Sequence, residues 1–432
     1  MRISTSQIYD SGALGIQRNQ QGLFKLQNQL SSGRRILTPS DDPVASAQAL
    51  VVAQSKDINA QYIENQNSTR ASLGILESTL TSVVDLVQGY RERAVEAKGS
   101  LTDNQRGFIA TDMKMKFDAI MALANAGDGS GQFLFSGYQG ATRPFAINAS
   151  LAPVPPATQP PVTYYGDDGQ RLLQVDVSRQ MASNLSGAEV FTAIRSGNGT
   201  STTSVAGNSG GGNNQGTALI DGGSVANPPL WNAGVNAHGG FRIEFSMGGG
   251  GLEYQIYETN APNAALLAVP AAYTPGQAIV LQKTTAPAAN FGASVVISGT
   301  PAVGDRFSVA PSRDQSMFQT LQNLIATIET PVSAVFTATE LQNRINTELT
   351  NLDRVIDSLA RAMADIGSRQ KELETLTTGA KDTDLQYATT LSDLQDLDYT
   401  KAISEFTYQQ VQLEAAQKSF AQVSRLSLFN IL

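Results

Sequence analysis

The chain has no cysteine and a single histidine, His238, in 432 residues. Without cysteine there can be no disulfide, no thiolate metal site and no thiol nucleophile. One histidine rules out a multi-histidine metal site and leaves little for a Ser-His-Asp relay. Long apolar runs are missing as well: no stretch approaches the roughly 20 residues that a membrane-spanning helix requires. Positive charge is scarce, with Lys+Arg 30 against Asp+Glu 38 and a formal net charge of −8. That balance disfavours a nucleic-acid surface, which needs a basic stripe, and electrostatic docking on anionic lipid. The opening Met1-Arg2-Ile3-Ser4-Thr5 lacks the apolar core of a secretory signal, so any export is expected to proceed without a cleavable signal peptide.

Proline is nearly absent from both ends and concentrated in the middle, between Pro144 and Pro311. That region also holds Pro153-Val154-Pro155-Pro156, the run Gly210-Gly211-Gly212-Asn213-Asn214 and the glycines 248–251. Alternating stretches there predict strands: Leu173 to Val177, Phe241 to Phe245 and Tyr254 to Tyr257. Only three basic and five acidic residues lie between Gly187 and Pro301, which suits a β-rich insertion with long polar turns. His238 falls in a Gly/Asn-rich stretch and is expected in a solvated loop. None of the glycine runs is followed by Lys-Ser/Thr at phosphate-loop spacing.

The ends carry helical periodicity. Leu73, Leu76, Leu80, Val83, Val87, Tyr90, Ala94 and Ala97 step by three and four, as do Ile345, Leu349, Leu352, Ile356, Leu359, Met363 and Ile366, continued by Leu373. Such seams predict long helices packed at shallow angles; one continuous from Ile58 to Ala97 would be about 60 Å long. Ile109, Met113, Phe117, Ile120 and Ala124 mark a further amphipathic helix, and Thr102/Gln105 and Thr337/Glu340 have capping-box spacing.

A second pair of stripes lies further out. Tyr9, Ile16, Leu23 and Leu30 recur every seven residues, and so do Tyr399, Phe406, Leu413 and Phe420; Ala402, Ala416 and Val423 fill the alternate seam, with Gln409 as a polar exception. A single helix of this kind is marginal in water. Residues Met1 to Gly33 include only four charged side chains, Arg2, Asp10, Arg18 and Lys25, so pairing two such helices still leaves uncharged faces to cover. Tyr9, Ile16, Leu23, Leu30, Tyr399, Phe406, Leu413, Phe420 and Val423 are therefore expected at an assembly interface, on helices that order as copies associate. Gly33 is expected at a left-handed helix end, where the chain bends. Asp42 and Pro43 have the pattern of an N-cap followed by proline at the first helical position. A cap and an early-turn charge explain Asp41 and Asp42 better than a metal site.

The order helix, helix, sheet, helix, helix gives an α+β fold class: a rod of nested long N- and C-terminal helices, coiled-coil or bundle in packing, with an inserted β-rich distal domain. The expected divisions are 1–42 with 385–432 as the terminal assembly domain, 43–145 with 312–384 as the helical bundle, and 146–311 as the surface-exposed insertion. No catalytic, cofactor-binding or metal site is expected.

Five motifs carry a resemblance. Leu30-Ser31-Ser32-Gly33-Arg34-Arg35-Ile36 followed by Asp41-Asp42 resembles the N-terminal signature of the bacterial flagellin family, and Asp396-Leu397-Asp398-Tyr399 through Leu432 resembles that family's last helix. Ser40-Asp41-Asp42-Pro43, Phe133-Leu134-Phe135-Ser136-Gly137 ending in Pro144-Phe145, and Leu426 to Leu432 are similar to the family members that join hook to filament, with Asn430 and Ile431 as departures. The resemblance covers about the first 145 and last 120 residues. It implies export by the flagellar type III pathway, an extracellular place in the flagellum, and self-assembly. It also implies a hook-side junction protein (hook-associated protein 1) and flagellin as neighbours, and an export chaperone on the C-terminal region. The alternatives are a filament flagellin and, in a different class, a secreted adhesin that binds through the β-rich middle. A secreted enzyme using a carboxylate pair is the weakest.

Overall fold

The computed structural model describes residues 5–129, 131–148, 162–261 and 264–428; the side chains of 5, 6, 8 and 423–428 lie outside that description. The proline run 153–156, the last four residues of the C-terminal motif and the side chain of Val423 thus fall outside the described residues. Seven α-helices are described: α1 (Thr5–Ser32), α2 (Pro43–Ala97), α3 (Asp103–Ala124), α4 (Pro228–His238), α5 (Met317–Glu329), α6 (Ala338–Gln395) and α7 (Tyr399–Leu428). The helical ends and β-rich middle are those that the periodicities predict. The chain divides into two compact units, Met1–Asn67 with Gln174–Arg179 and Leu373–Leu432, and Ser68–Leu173 with Gln180–Glu372.

In the first unit, α1 and α7 pair antiparallel. The rings of Tyr9 and Phe420 meet edge to face with centroids 5.8 Å apart. Both helices break at the same level, and the two breaks are stitched together: Arg35 N–H donates to Gln395 O at 2.7 Å and Leu397 N–H to Gly33 O at 2.9 Å. Carboxylates then restart the chain. Asp42 Oδ1 accepts from Ala45 N–H at 3.0 Å and begins α2 just before Pro43. Asp398 Oδ1 accepts from Thr400 and Lys401 N–H at 3.0 and 3.2 Å and begins α7. These side chains satisfy donors that a helix start leaves without partners. Deeper in the unit, Asn59 donates to Ala380 O at 2.8 Å, linking α2 to α6.

The second unit contains an α-helical bundle, two larger β-sheets and short two-stranded pairs such as Phe145–Ile147 with Val162–Tyr164. All eight residues of the Leu73-to-Ala97 stripe of α2 are fully buried. On α6 the buried ones are spaced by seven, Ile345, Leu352, Leu359 and Ile366, whereas Leu349, Ile356 and Met363 between them are partly covered. Tyr90, buried in the α2 seam, donates its hydroxyl to Met113 O on α3, and burial raises its pKa. The capping box of α3 is closed in both directions, Gln105 N–H to Thr102 Oγ1 and Thr102 N–H to Gln105 Oε1, and Thr337 Oγ1 accepts from Glu340 N–H at 3.1 Å.

One antiparallel sheet has five strands, in the order Ala271–Ala272, Gly251–Glu258, Phe241–Gly248, Asp305–Pro311, Ser201–Asn208; the other has Ala278–Lys283, Ala289–Ser298 and Leu219–Ile220, with Ser224–Val225 alongside. Phe241, Ile243, Phe245, Phe307 and Val309 of the first sheet meet Ile279, Leu281, Phe291, Val295 and Ile297 of the second in one core. The alternation of buried and covered residues along Phe241–Gly248 is the period-two pattern of a half-buried strand.

The segment around His238 departs from the sequence expectations. His238 is not in a solvated loop. It is the last residue of α4, its ring lies 5.2 Å from that of Phe291, and Nδ1 is paired with Glu258. Asn227 caps α4 and Pro228-Pro229 occupy its first turn, where proline's missing N–H costs nothing. Within the segment 312–384 expected to join the helical bundle, helix α5 buries Phe318, Leu321, Leu324 and Ile328 beside α3, with the Phe117 and Phe318 rings 6.1 Å apart. Near α5, Glu348 is held by three neutral amides, Asn323 and Asn351 at 2.9 Å and Gln315 at 3.4 Å. Burial away from water pushes its pKa up from 4.5 to about 7, and these amides only partly offset that shift.

Candidate assembly surface

Among the described residues, the two units differ most in their apolar balance. The first unit buries six apolar residues, Leu26, Ala45, Ala49, Val175, Leu373 and Ala402. It exposes twelve large ones: Leu14, Phe24, Val44, Leu50, Val51, Ile58, Val177, Leu385, Tyr399, Ile403, Tyr408 and Val411. A folded domain normally inverts that ratio, because apolar burial drives folding. Phe24 and Tyr408 are each 64% exposed, and covering a side chain of that size is worth about 1.5–3 kcal/mol. The α1–α7 pair is thus a surface with much to gain from a neighbour.

The expected seam residues lie mostly between the paired helices. Tyr9, Ile16, Leu23 and Leu30 on α1, and Phe406, Leu413 and Phe420 on α7, are partly buried. With Tyr9 against Phe420, the seven-residue steps bring Ile16 level with Leu413, Leu23 with Phe406 and Leu30 with Tyr399. Tyr399 is the exception: it stands at the start of α7, 51% exposed, with its hydroxyl over Gly33. The best-buried members of the pair are Leu26, three residues after Leu23 and four before Leu30, and the small Ala402. Periodicity marks the seam but passes over the outer face, where Leu14, Phe24, Ile403, Tyr408 and Val411 lie off the heptad.

A groove of about 410 Å³ opens on the pair, lined by Tyr9, Gly12, Gly15 and Ile16 of α1 and by Ala416, Ser419 and Phe420 of α7, with no charged side chain among its walls.

The turn from α1 to α2 is built from polar contacts. Gly33 takes φ +70°, in the left-handed region, and its N–H donates to Gln29 O at 2.9 Å. Asp41 accepts from Leu37 and Thr38 N–H at 3.1 and 3.0 Å and pairs with Lys25 at 2.7 Å. The Lys25 ammonium beside it, with the backbone donors, lowers its pKa to about 2. Asp42 also has a lowered pKa, through the Ala45 N–H first and Arg35 at 3.3 Å next. Pro43 is exposed at the first position of α2. Asp41 and Asp42 are thus committed to a turn and a cap. Among the described residues no group of three His, Cys, Asp or Glu side chains converges as a metal site would, and no helix is long and apolar enough to cross a membrane.

Both ends match family models. Residues 3–140 match the bacterial flagellin N-terminal helical region and residues 349–432 the bacterial flagellin C-terminal helical region, together just over half of the chain. The chain is 35% identical over 197 residues to flagellar hook-associated protein 3 of Salmonella typhimurium and 34% identical over 197 residues to that of Escherichia coli. Each match covers 45% of this chain and 58% of the relative, so the chain spans little more than half the length of these curated relatives. The crystal structure of flagellar hook-associated protein 3 from Legionella pneumophila is similar over 80% of this chain and 98% of that one, with a TM-score of 0.69 and 26% identity.

Proposed function

Because the chain belongs to the bacterial flagellin family, we propose that it is a structural subunit of the bacterial flagellum that forms the junction between hook and filament. The apolar balance of the first unit carries this reading. A surface with twelve large exposed apolar side chains and six buried apolar ones suits a part that completes its packing against other subunits. The likeness to hook-associated protein 3 in sequence and in fold favours the junction over the filament. The interface consists of the α1 and α7 seam together with its outer face, and Gly33, Asp42 and Pro43 set the bend that leads into it. In this reading 1–42 with 385–432 assemble, 43–145 with 312–384 form the supporting bundle, and 146–311 is displayed at the surface. Its neighbours are copies of itself, the hook-side junction protein and flagellin. The subunit leaves the cell by the flagellar export pathway with a chaperone on its C-terminal region. It performs no catalysis.

Added to purified hooks that carry the hook-side junction protein, the chain is expected to form a short collar and stop. Electron microscopy of particles labelled at the β-rich region should place it in a single band between hook and filament. Long homopolymers, or label along the whole filament, would make it a filament subunit instead. If deleting 149–300 leaves motility intact but abolishes attachment to surfaces, the adhesin reading replaces this one.

A further inference from the structure

We propose that Gly12, Gly22 and Gly33 act as three notches that fix the register in which α7 docks on α1. A Cβ atom at Gly12 would lie 2.8 Å from the Phe420 ring, one at Gly22 2.8 Å from Gln409 Oε1, and one at Gly33 2.9 Å from the Tyr399 hydroxyl. Each distance is shorter than any ordinary contact, so a large α7 side chain occupies the space that a side chain on α1 would need. Glycine is a poor helix former, and one retained inside a helix calls for a packing reason. At Gly12 and Gly22 the reason is the side chain opposite.

The spacing of the notches gives them their function. Gly12, Gly22 and Gly33 are ten and eleven residues apart, and Tyr399, Gln409 and Phe420 are also ten and eleven apart. In an antiparallel pair these intervals agree to within one residue: the numbers of each facing pair add to 431 or 432. The apolar seam has a different period. Tyr9, Ile16, Leu23 and Leu30 repeat by seven against a seven-residue repeat on α7, so sliding one helix by a heptad keeps three of the four layers matched. The seam alone therefore distinguishes neighbouring registers by one layer in four, and the notches act along the helices beyond the stitched break at Gly33–Leu397 and Arg35–Gln395.

The notches remove that ambiguity, because ten and eleven are not multiples of seven. A slip of one heptad in one direction puts Phe420, Gln409 and Tyr399 opposite Asn19, Gln29 and Ser40. In the other direction they meet Thr5, Gly15 and Leu26, and only one glycine remains. Gln409 sharpens the choice, since its Oε1 is buried without a hydrogen-bond partner and is tolerated where Gly22 leaves it room. Polar groups at seam positions specify register in coiled coils at some cost in stability.

The chain has no native cysteine, so one can be placed at Gly15, where a Cβ meets nothing within 4 Å and which lines the groove with Ala416. The full chain carrying Gly15→Cys is labelled with a benzophenone maleimide and irradiated, both free and assembled on hooks, and the adducts on α7 are mapped by mass spectrometry. In the parent the adducts are expected to centre on residue 416. In Gly22→Leu and in Gly12→Leu the centre should move by about one heptad, and Gly22→Leu with Gln409→Ala should bring it back. Leu23→Ala, which weakens the seam but leaves the notches, should lower the yield without moving the centre. Adducts that stay on residue 416 in both notch-filled variants would overturn the proposal. So would failure of Gln409→Ala to restore the parent pattern, or absence of residue-416 adducts from the parent in both states.

Discussion

The two units solve the burial problem in opposite ways. The second closes a core around Trp231, Phe241, Phe245 and Phe307 and buries the whole Leu73-to-Ala97 stripe of α2. The first leaves the outer faces of α1 and α7 bare and relies on polar stitches, Asp42 and Asp398 caps and a glycine bend to order its backbone. One unit is stable by what it encloses, the other by what it can still cover. In the proposed assembly the first strategy completes a fold and the second leaves surface for neighbouring subunits.

The comparison breaks most sharply under core truncation. Phe241→Ala should destabilise the second unit by about 3–5 kcal/mol, followed through the fluorescence of the chain's single tryptophan, Trp231. The helicity of α1 and α7 should not change. A parallel loss in both units would make them one cooperative block.

A smaller effect comes from Glu348. Its pKa is raised on folding from 4.5 to about 7, so folding favours the protonated form. The native protein then holds more protons than the unfolded chain between those values, and stability falls as pH rises from about 4.5 to about 7. The full effect is at most about 3 kcal/mol. Glu348→Gln should raise the urea midpoint of the second unit at pH 8 and leave it unchanged at pH 4. An equal gain at both values would point to packing instead of charge.

In the first unit, Phe406→Asp places a carboxylate in the α1–α7 seam, at an expected cost of about 2 kcal/mol, and should block incorporation at the hook tip. Normal motility would remove Phe406 from the interface. Asp42→Ala should loosen the start of α2 through loss of the cap, seen as faster amide exchange over its first turn only. The smallest expected change is at Asp41. Its pKa is lowered on folding, so its pairing with Lys25 contributes above about pH 4 and is lost as pH falls towards about 2. Chemical shifts of residues 37–42 should follow that window.

Much of this architecture is legible without coordinates, for a reason that particular residues make plain. Leu73 to Ala97 all lie on one helical face, and a strict three-four pattern can be satisfied in water only by burying that face. Gly33 and Asp42-Pro43 are local signals, readable because helix ends are decided within a turn. Helix α4 was harder to see: Pro228-Pro229 in a proline-rich region suggests a loop, yet after an asparagine cap the same residues open a helix. His238, the last residue of that helix, therefore packs beside Phe291 and not in the solvated loop that its Gly/Asn-rich surroundings suggest. Tyr399 matches the heptad in sequence but stands at the first position of α7 with its ring half in solvent.

The sequence by itself determined that the ends are helical and the middle is β-rich, that α1 stops at Gly33 and α2 restarts at Asp42-Pro43, and which stripe the long helix α2 would bury. Those properties follow from period and capping, which act over a few residues. Only the tertiary structure decided that Phe420, Gln409 and Tyr399 face Gly12, Gly22 and Gly33. It also decided that His238 meets Glu258 and Phe291, and that Glu348 lies among three neutral amides. A heptad specifies a face but not a register, and contacts between residues hundreds of positions apart are fixed only when shapes meet.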